Sequence, residues 1–341
     1  MSTFSDRLLK WWDVNGRKDL PWQHPRTPYR VWLAEIMLQQ TQVKTVIPYY
    51  ESFLKQFPDI SSLAAATQDD VMAQWSGLGY YARARNLHKT AQICVEQHHS
   101  DLPQTPEALL KLPGIGESTA NAIYSQSSDQ PATVLDGNVK RVLSRHMAVE
   151  GWPGTAKIQK QLWTAATKLL PEQRGADYTQ AIMDLGATLC TRSSPACQSC
   201  PVSADCKAYA AGTVQNFPAS KPKAKIKQKT FYMLLNIVEG QVLLERRPPA
   251  GIWGGLWVLP ADEDLGSLLS RFNISSSDAK ALPELQHQLT HMQMTIHPFI
   301  NSTKPFAKGV ECNSEQNWFS KQQWPELGLP KPVRQLLETY L

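Results

Sequence analysis

The chain has 341 residues, 42% hydrophobic and 19% charged, which suits two packed domains and excludes a disordered protein. Its net charge is only +5, yet residues 221–229 alone carry five lysines and no acid, which points to a solvated linker or a polyanion contact there. No run approaches the roughly 18 apolar residues of a membrane span, and Asp6 and Arg7 stand where a signal peptide needs an apolar core.

The expectation is a soluble, cytoplasmic protein that makes no membrane contact. Its six cysteines then bind metal, catalyse or stay free rather than pair. Thr27-Pro28 opens the first predicted helix, a cap residue followed by proline, and the helix runs to Gln40. Glu35 shares a face of it with Val31, Trp32, Leu38 and Gln39. A carboxylate on an apolar face is costly to ionise, so its pKa rises, as a general acid requires. The alternative is a salt-bridged glutamate at the helix rim.

Further helices are predicted over about 61–75, 81–98, 106–111, 117–125, 138–146 and 157–170. Leu112-Pro-Gly-Ile-Gly-Glu-Ser-Thr-Ala120 joins two of them. Gly114 and Gly116 allow a tight turn with outward amides, a phosphate site at a helix N-terminus. A plain hairpin with a glycine cap is the alternative. Asp136 in Leu135-Asp-Gly-Asn-Val139 reads as an N-cap, which leaves a second role open. Lys140, Arg141 and Arg145, and the stretch Tyr80-Tyr-Ala-Arg-Ala-Arg85, read as solvated faces or as backbone-gripping patches with an intercalating side chain.

Cys190, Cys197, Cys200 and Cys206 follow the spacing C-x6-C-x2-C-x5-C. Four thiolates in one short loop suit an inorganic centre. Tetrahedral zinc and a cubane iron–sulfur cluster both take four cysteines, and the spacing leaves the choice open. Cys94 and Cys312 read as core residues. Phe217 to Lys229, with Pro218, Pro222 and alternating lysines, reads as an extended linker. Beyond it the period changes. Phe231–Val238 and Gln241–Glu245 are strand-like around a Glu239-Gly240 turn, Leu289–Ile300 reads as another strand, and 265–272 and 332–340 look helical.

These residues resemble the helix-hairpin-helix DNA glycosylases of the endonuclease III superfamily, and within it the MutY family of adenine DNA glycosylases. The carrying segments are Trp32–Gln42, Gly77–Asn86, Leu135–Arg141, Met183–Ala187 and the four cysteines. The resemblance implies an all-α helix-hairpin-helix glycosylase domain over 1–216, with its hairpin near 106–125 and an iron–sulfur loop at 190–206. A basic linker, 217–229, and a Nudix-like α+β domain, 230–341, follow. It implies a 4Fe–4S cluster on Cys190, Cys197, Cys200 and Cys206, and a monomer acting on duplex DNA that holds A:8-oxoguanine or A:G mispairs.

In the mechanism so implied, Glu35 protonates N7 of a flipped adenine and Asp136 stabilises the sugar cation. Asn138 orients the pair. Gln40, Thr41, Leu78 and Tyr80 line or wedge the vacated stack, and Gly114, Gly116 and Ser118 contact the backbone. Thr290 and His291 read the lesion. Ser118 stands where endonuclease III carries its attacking lysine, which favours a monofunctional enzyme over a bifunctional glycosylase/lyase. The C-terminal Arg246-Arg-Pro-Pro-Ala-Gly-Ile-Trp-Gly-Gly-Leu256 is Nudix-like, but Ala261-Asp-Glu-Asp264 leads into no helical glutamate cluster. Recognition rather than nucleotide hydrolysis is expected of that domain.

Overall fold

The computed structural model describes residues 2–222, 226–289, 292–301 and 315–341. By packing the chain divides into two units. One comprises Met1–Ala65 and Asn86–Lys223, the other Ala66–Arg85 and Ala224–Leu341.

The first unit is helical. Thr27 caps the helix Pro28–Leu38 by accepting from the Arg30 amide at 3.3 Å. Seven of its eleven residues are buried, including Val31, Trp32, Leu33 and Ile36. Apolar residues thus surround it, and Glu35 is the acid it carries inward. The helix packs on Glu117–Ser128 and Val43–Gln56. Three longer helices join those predicted: Phe4–Asn15, Val43–Gln56 with Pro48 inside it, and Gly175–Asp184. The predicted helix over 61–75 is two, Ile60–Ala65 in this unit and Gln68–Gln74 in the second. Thr67 and Asp70 form a capping box there that restarts the chain. Gly175–Asp184 continues into a π-helical turn, Leu185–Leu189.

The second unit is α+β. Its strands are β1 (Lys227–Val238), β2 (Gln241–Arg246), β3 (Trp257–Val258), β4 (Ala261–Asp262), β5 (Ala279–Ala281), β6 (Leu285–Leu289), β7 (Met292–Asn301) and β8 (Gln316–Ser320). β1 and β7 run parallel from Lys227↔Met292 to Asn236↔Asn301, and the other pairings are antiparallel. Glu239 and Gly240 both have positive φ, as a tight hairpin between β1 and β2 requires. Met233, Leu235, Val242, Leu244, Met294, Ile296, Leu336 and Leu337 fill one core. The strand expected over 289–300 is β7, beginning at Met292, and β6, which was not expected, pairs antiparallel with it. The last three residues of the expected linker already belong to β1, where they pair with β7.

Candidate active site

In the helical unit one cleft of about 900 Å³ is lined by Glu35, Thr41, Ser118, Asp136 and Asn138 together with Trp22, Arg17 and Gln180. These come from five separate stretches of chain. Glu35 is enclosed by protein apart from its opening on the cleft. Burial pushes its carboxyl up to about 7, and the neighbouring Asp136 adds to the rise. The amide of Gln126, itself buried, opposes this by donating to Oε1 at 2.8 Å.

Asp136 is the N-cap of the helix Gly137–His146, and its Oδ1 accepts from the Val139 amide at 2.7 Å. Burial raises its carboxyl as well. The Val139 and Asn138 amides and the charges of Arg141 and Lys140 pull the other way. Both carboxyls are thus raised on balance, Asp136 against two amides and two cations that favour its anion, Glu35 against the single neutral amide of Gln126. Ser118 accepts from the Leu135 amide at 2.9 Å, which fastens the residue before Asp136 to the hairpin's second helix.

Asn138 Oδ1 accepts from Arg141 Nη2 at 2.9 Å. The same guanidinium donates to the carbonyls of Gly186, at 2.5 Å, and Cys190, at 2.7 Å. Gly186 has no room for a side chain, since a Cβ would lie 2.6 Å from that of Asn138. Asp184 is fully buried and accepts from Trp12 Nε1, the Arg17 amide and guanidinium, and Gln180 Nε2 at 2.7–3.0 Å. Sequence reasoning missed Gln126, Arg17, Gln180 and Asp184. An amide in a helix and an acid four residues after a glutamine carry no local signal.

Gly114 adopts φ +78°, and a Cβ there would meet Asn86 at 2.8 Å. Gly116 precedes the helix Glu117–Ser128, which no side chain caps, so its first amides stay open. Gln40 is exposed with φ +61° beside the cleft-lining Gln39 and Thr41. Leu78 and Tyr80 belong to the other unit. Leu78 is buried. Tyr80 is exposed, has φ +51° and carries the Arg83 guanidinium 5.4 Å from its ring centre. Thr290 and His291 lie outside the described residues.

Cys190, Cys197, Cys200 and Cys206 line one compact cavity with Arg145. Arg145 is 2% exposed, so it belongs to neither a solvated face nor a surface patch. It donates to the carbonyls of Thr191 at 2.6 Å, Arg192 at 2.9 Å and Phe217 at 3.0 Å, and its Nη1 lies 3.4 Å from Cys190 Sγ. Arg83 is buried too. Among the described residues no group of three or more Cys, His, Asp or Glu side chains is placed to hold a metal ion. Four cysteines around one cavity, beside a buried cation, suit a centre held by four thiolates, which zinc and a cubane cluster both accept.

The model of the HhH-GPD superfamily of base excision DNA repair proteins matches residues 33–168, and that of the NUDIX domain matches 231–339. The adenine DNA glycosylase of Buchnera aphidicola subsp. Schizaphis graminum is 36% identical over 99% of this chain and 98% of its own. The chain belongs to the adenine DNA glycosylase family. Among solved structures, a thermostable thymine-DNA glycosylase is 26% identical with a TM-score of 0.56, covering 61% of this chain and 95% of that one. Endonuclease III in a non-covalent DNA complex, 22% identical, matches with a TM-score of 0.53 over 61% of this chain and 94% of that one, a likeness of fold. In this adenine DNA glycosylase family member the hairpin, Glu35, Asp136 and the cysteine loop all fall in the helical unit. No helix among the described residues is long and apolar enough to cross a membrane.

Proposed function

We propose that this chain is a monofunctional adenine DNA glycosylase acting, as a cytoplasmic monomer, on adenine opposite 8-oxoguanine or guanine in duplex DNA. The observation that carries the reading is the pairing of Glu35 and Asp136 in one cleft, Glu35 held by one neutral amide and Asp136 by the start of a helix with Arg141 and Lys140 near it. A stacked adenine is out of reach, so it is flipped into the cleft at a cost of a few kcal/mol. Trp22 and Leu20 offer apolar walls for a purine, and Gln39 lines the cleft with an amide for its edge.

Glu35, still protonated near neutral pH, gives its proton to N7, and the adenine becomes a neutral leaving group. The C1′–N9 bond breaks with oxocarbenium character. The Asp136 carboxylate, held by the helix N-terminus, stabilises that cation. Asn138, fixed by Arg141, orients the pair. Glu35, now a base, takes a proton from the water that completes hydrolysis.

Cys190, Cys197, Cys200 and Cys206 would hold a 4Fe–4S cluster. When bound, it staples the loop 190–206 and adds a charged centre to it. Arg145 would orient that loop through its carbonyls. We read residues 1–216 as the catalytic domain and 230–341 as the part that reads the opposite strand.

Ser118 at the hairpin offers no amine for a Schiff base, but the cleft lining includes one lysine, the exposed Lys44. The second reading, a glycosylase/lyase, would need it. Incubation with an A:8-oxoguanine duplex separates them. Free adenine with strand breaks only after alkali supports the proposal. Breaks without alkali, together with a borohydride-trapped adduct, support the lyase. No adenine release from either mispair defeats both.

A further inference from the structure

By packing, residues 66–85 belong to the C-terminal unit, although the helical unit precedes and follows them in sequence. They are pinned near both ends. Asp69 Oδ1 accepts from Arg246 Nη2 at 2.5 Å, and the same guanidinium lies over the Trp257 ring, 5.7 Å from its centre. At the other end Arg85 Nη1 donates to the Gly254 carbonyl. Both anchors come from the Arg246–Leu256 motif, to which hydrolysis assigns no work here. Between them Gly328 packs so tightly on Met72 that a Cβ would sit 2.8 Å from that of Met72. Ser76 Oγ and the Tyr81 hydroxyl both approach the Leu329 carbonyl, at 3.4 and 3.5 Å, and Arg334 Nη2 donates to Ser76 Oγ at 3.3 Å. The Gly77 amide donates to the Tyr81 hydroxyl at 3.2 Å.

The loop so suspended ends in Tyr80, an exposed aromatic held at φ +51°, where a bulky side chain is strained. An exposed, pre-set ring braced by a guanidinium suits insertion between bases. We propose that the C-terminal unit positions Tyr80, with Arg246 and Tyr81 as the positioning residues. The tyrosine then enters the duplex as a part of the unit that reads the base opposite adenine. This rests on the adenine glycosylase reading above. The coupling has a simple physical basis: a wedge anchored on the reading unit is aimed only as well as that unit is seated.

The test uses the full-length protein. Hydrogen exchange without DNA comes first. In Arg246→Gln and Tyr81→Phe the amides of residues 76–81 should exchange roughly tenfold faster, as loss of one or two hydrogen bonds allows. The helix Glu117–Ser128 should be unchanged and reports intact folding. Unchanged exchange at 76–81 in both variants overturns the proposal. Single-turnover excision from A:8-oxoguanine and A:G duplexes then reads the coupling. Arg246→Gln, Tyr81→Phe and Tyr80→Ala should each reduce the preference for 8-oxoguanine several-fold, and Arg246→Gln should add nothing in the Tyr80→Ala background. Effects that multiply overturn it. Asp69→Asn must mimic Arg246→Gln. If it instead tightens duplex binding, Arg246 is a direct phosphate contact and the proposal falls. A parent protein that releases no adenine defeats the functional reading alone, and the exchange data still decide whether the loop is held by the C-terminal unit.

Discussion

Glu35 sits at the one point where an apolar helix turns a carboxylate toward the cleft, and its chemistry follows from that burial. Glu35→Gln keeps the shape and the Gln126 contact but cannot give up a proton. Single-turnover excision should fall by about 10²–10⁴-fold or more while duplex affinity changes little. Excision within about tenfold of the parent would make Glu35 a structural residue. The raised carboxyl also has a stability consequence. Folded Glu35 binds its proton more tightly than the unfolded chain does, so stability falls as pH rises between 4.5 and about 7. At roughly 1.4 kcal/mol per pKa unit the burden above pH 7 is about 3 kcal/mol. Glu35→Gln should therefore raise the melting temperature at pH 8, and the gain should vanish near pH 4.5. A gain equal at both pH values would count against a buried, titrating carboxyl.

The helix Gly137–His146 is the element on which the cleft and the cysteine loop converge. Its first turn presents Asp136 and Asn138, and one and two turns later Arg141 and Arg145 face the chain around Cys190. Arg145→Met would remove the charged donor shared by the half-buried carbonyls of Thr191 and Phe217, at about 1.5–3 kcal/mol each. The variant should purify with less iron and acid-labile sulfide per chain and melt lower; full iron content would remove Arg145 from the loop's support. The close approach of the π-helical turn is equally sensitive. Gly186→Ala would force Asn138 aside, at about 1–3 kcal/mol of overpacking. Excision should drop with it, measured beside thermal unfolding. An alanine variant as active and as stable as the parent would mean that the helix start tolerates displacement.

At the scale of the whole molecule the two units differ in what they can do alone. A chain ending at residue 222 keeps the cleft and the four cysteines but loses every partner that Asp69, Ser76, Tyr81 and Arg85 find beyond residue 245. It should still excise adenine, and it should lose its preference for 8-oxoguanine over guanine opposite. Competition between the two duplexes measures this. Undiminished discrimination by the truncated chain would take lesion reading away from the C-terminal unit.

Much of this was legible in the order of residues, for local reasons. Thr27-Pro28, Gly114, Asp136 and the four cysteines act through neighbours a few residues away, so spacing alone announces a cap, a turn, an N-cap and a loop that gathers four thiols. The α to α+β change near residue 230 is likewise a change of hydrophobic period. The helices Phe4–Asn15 and Val43–Gln56 were not expected, although Thr3 and Asp6 form a capping box at the start of the first; the second carries a proline inside it and no side-chain cap. Only the folded chain decided that Gln126 meets Glu35 from 91 residues away and that Arg145 is internal. Only it assigned residues 66–85 to the C-terminal unit. Such choices depend on which distant surfaces are complementary, and burial, not sequence neighbourhood, sets their energy.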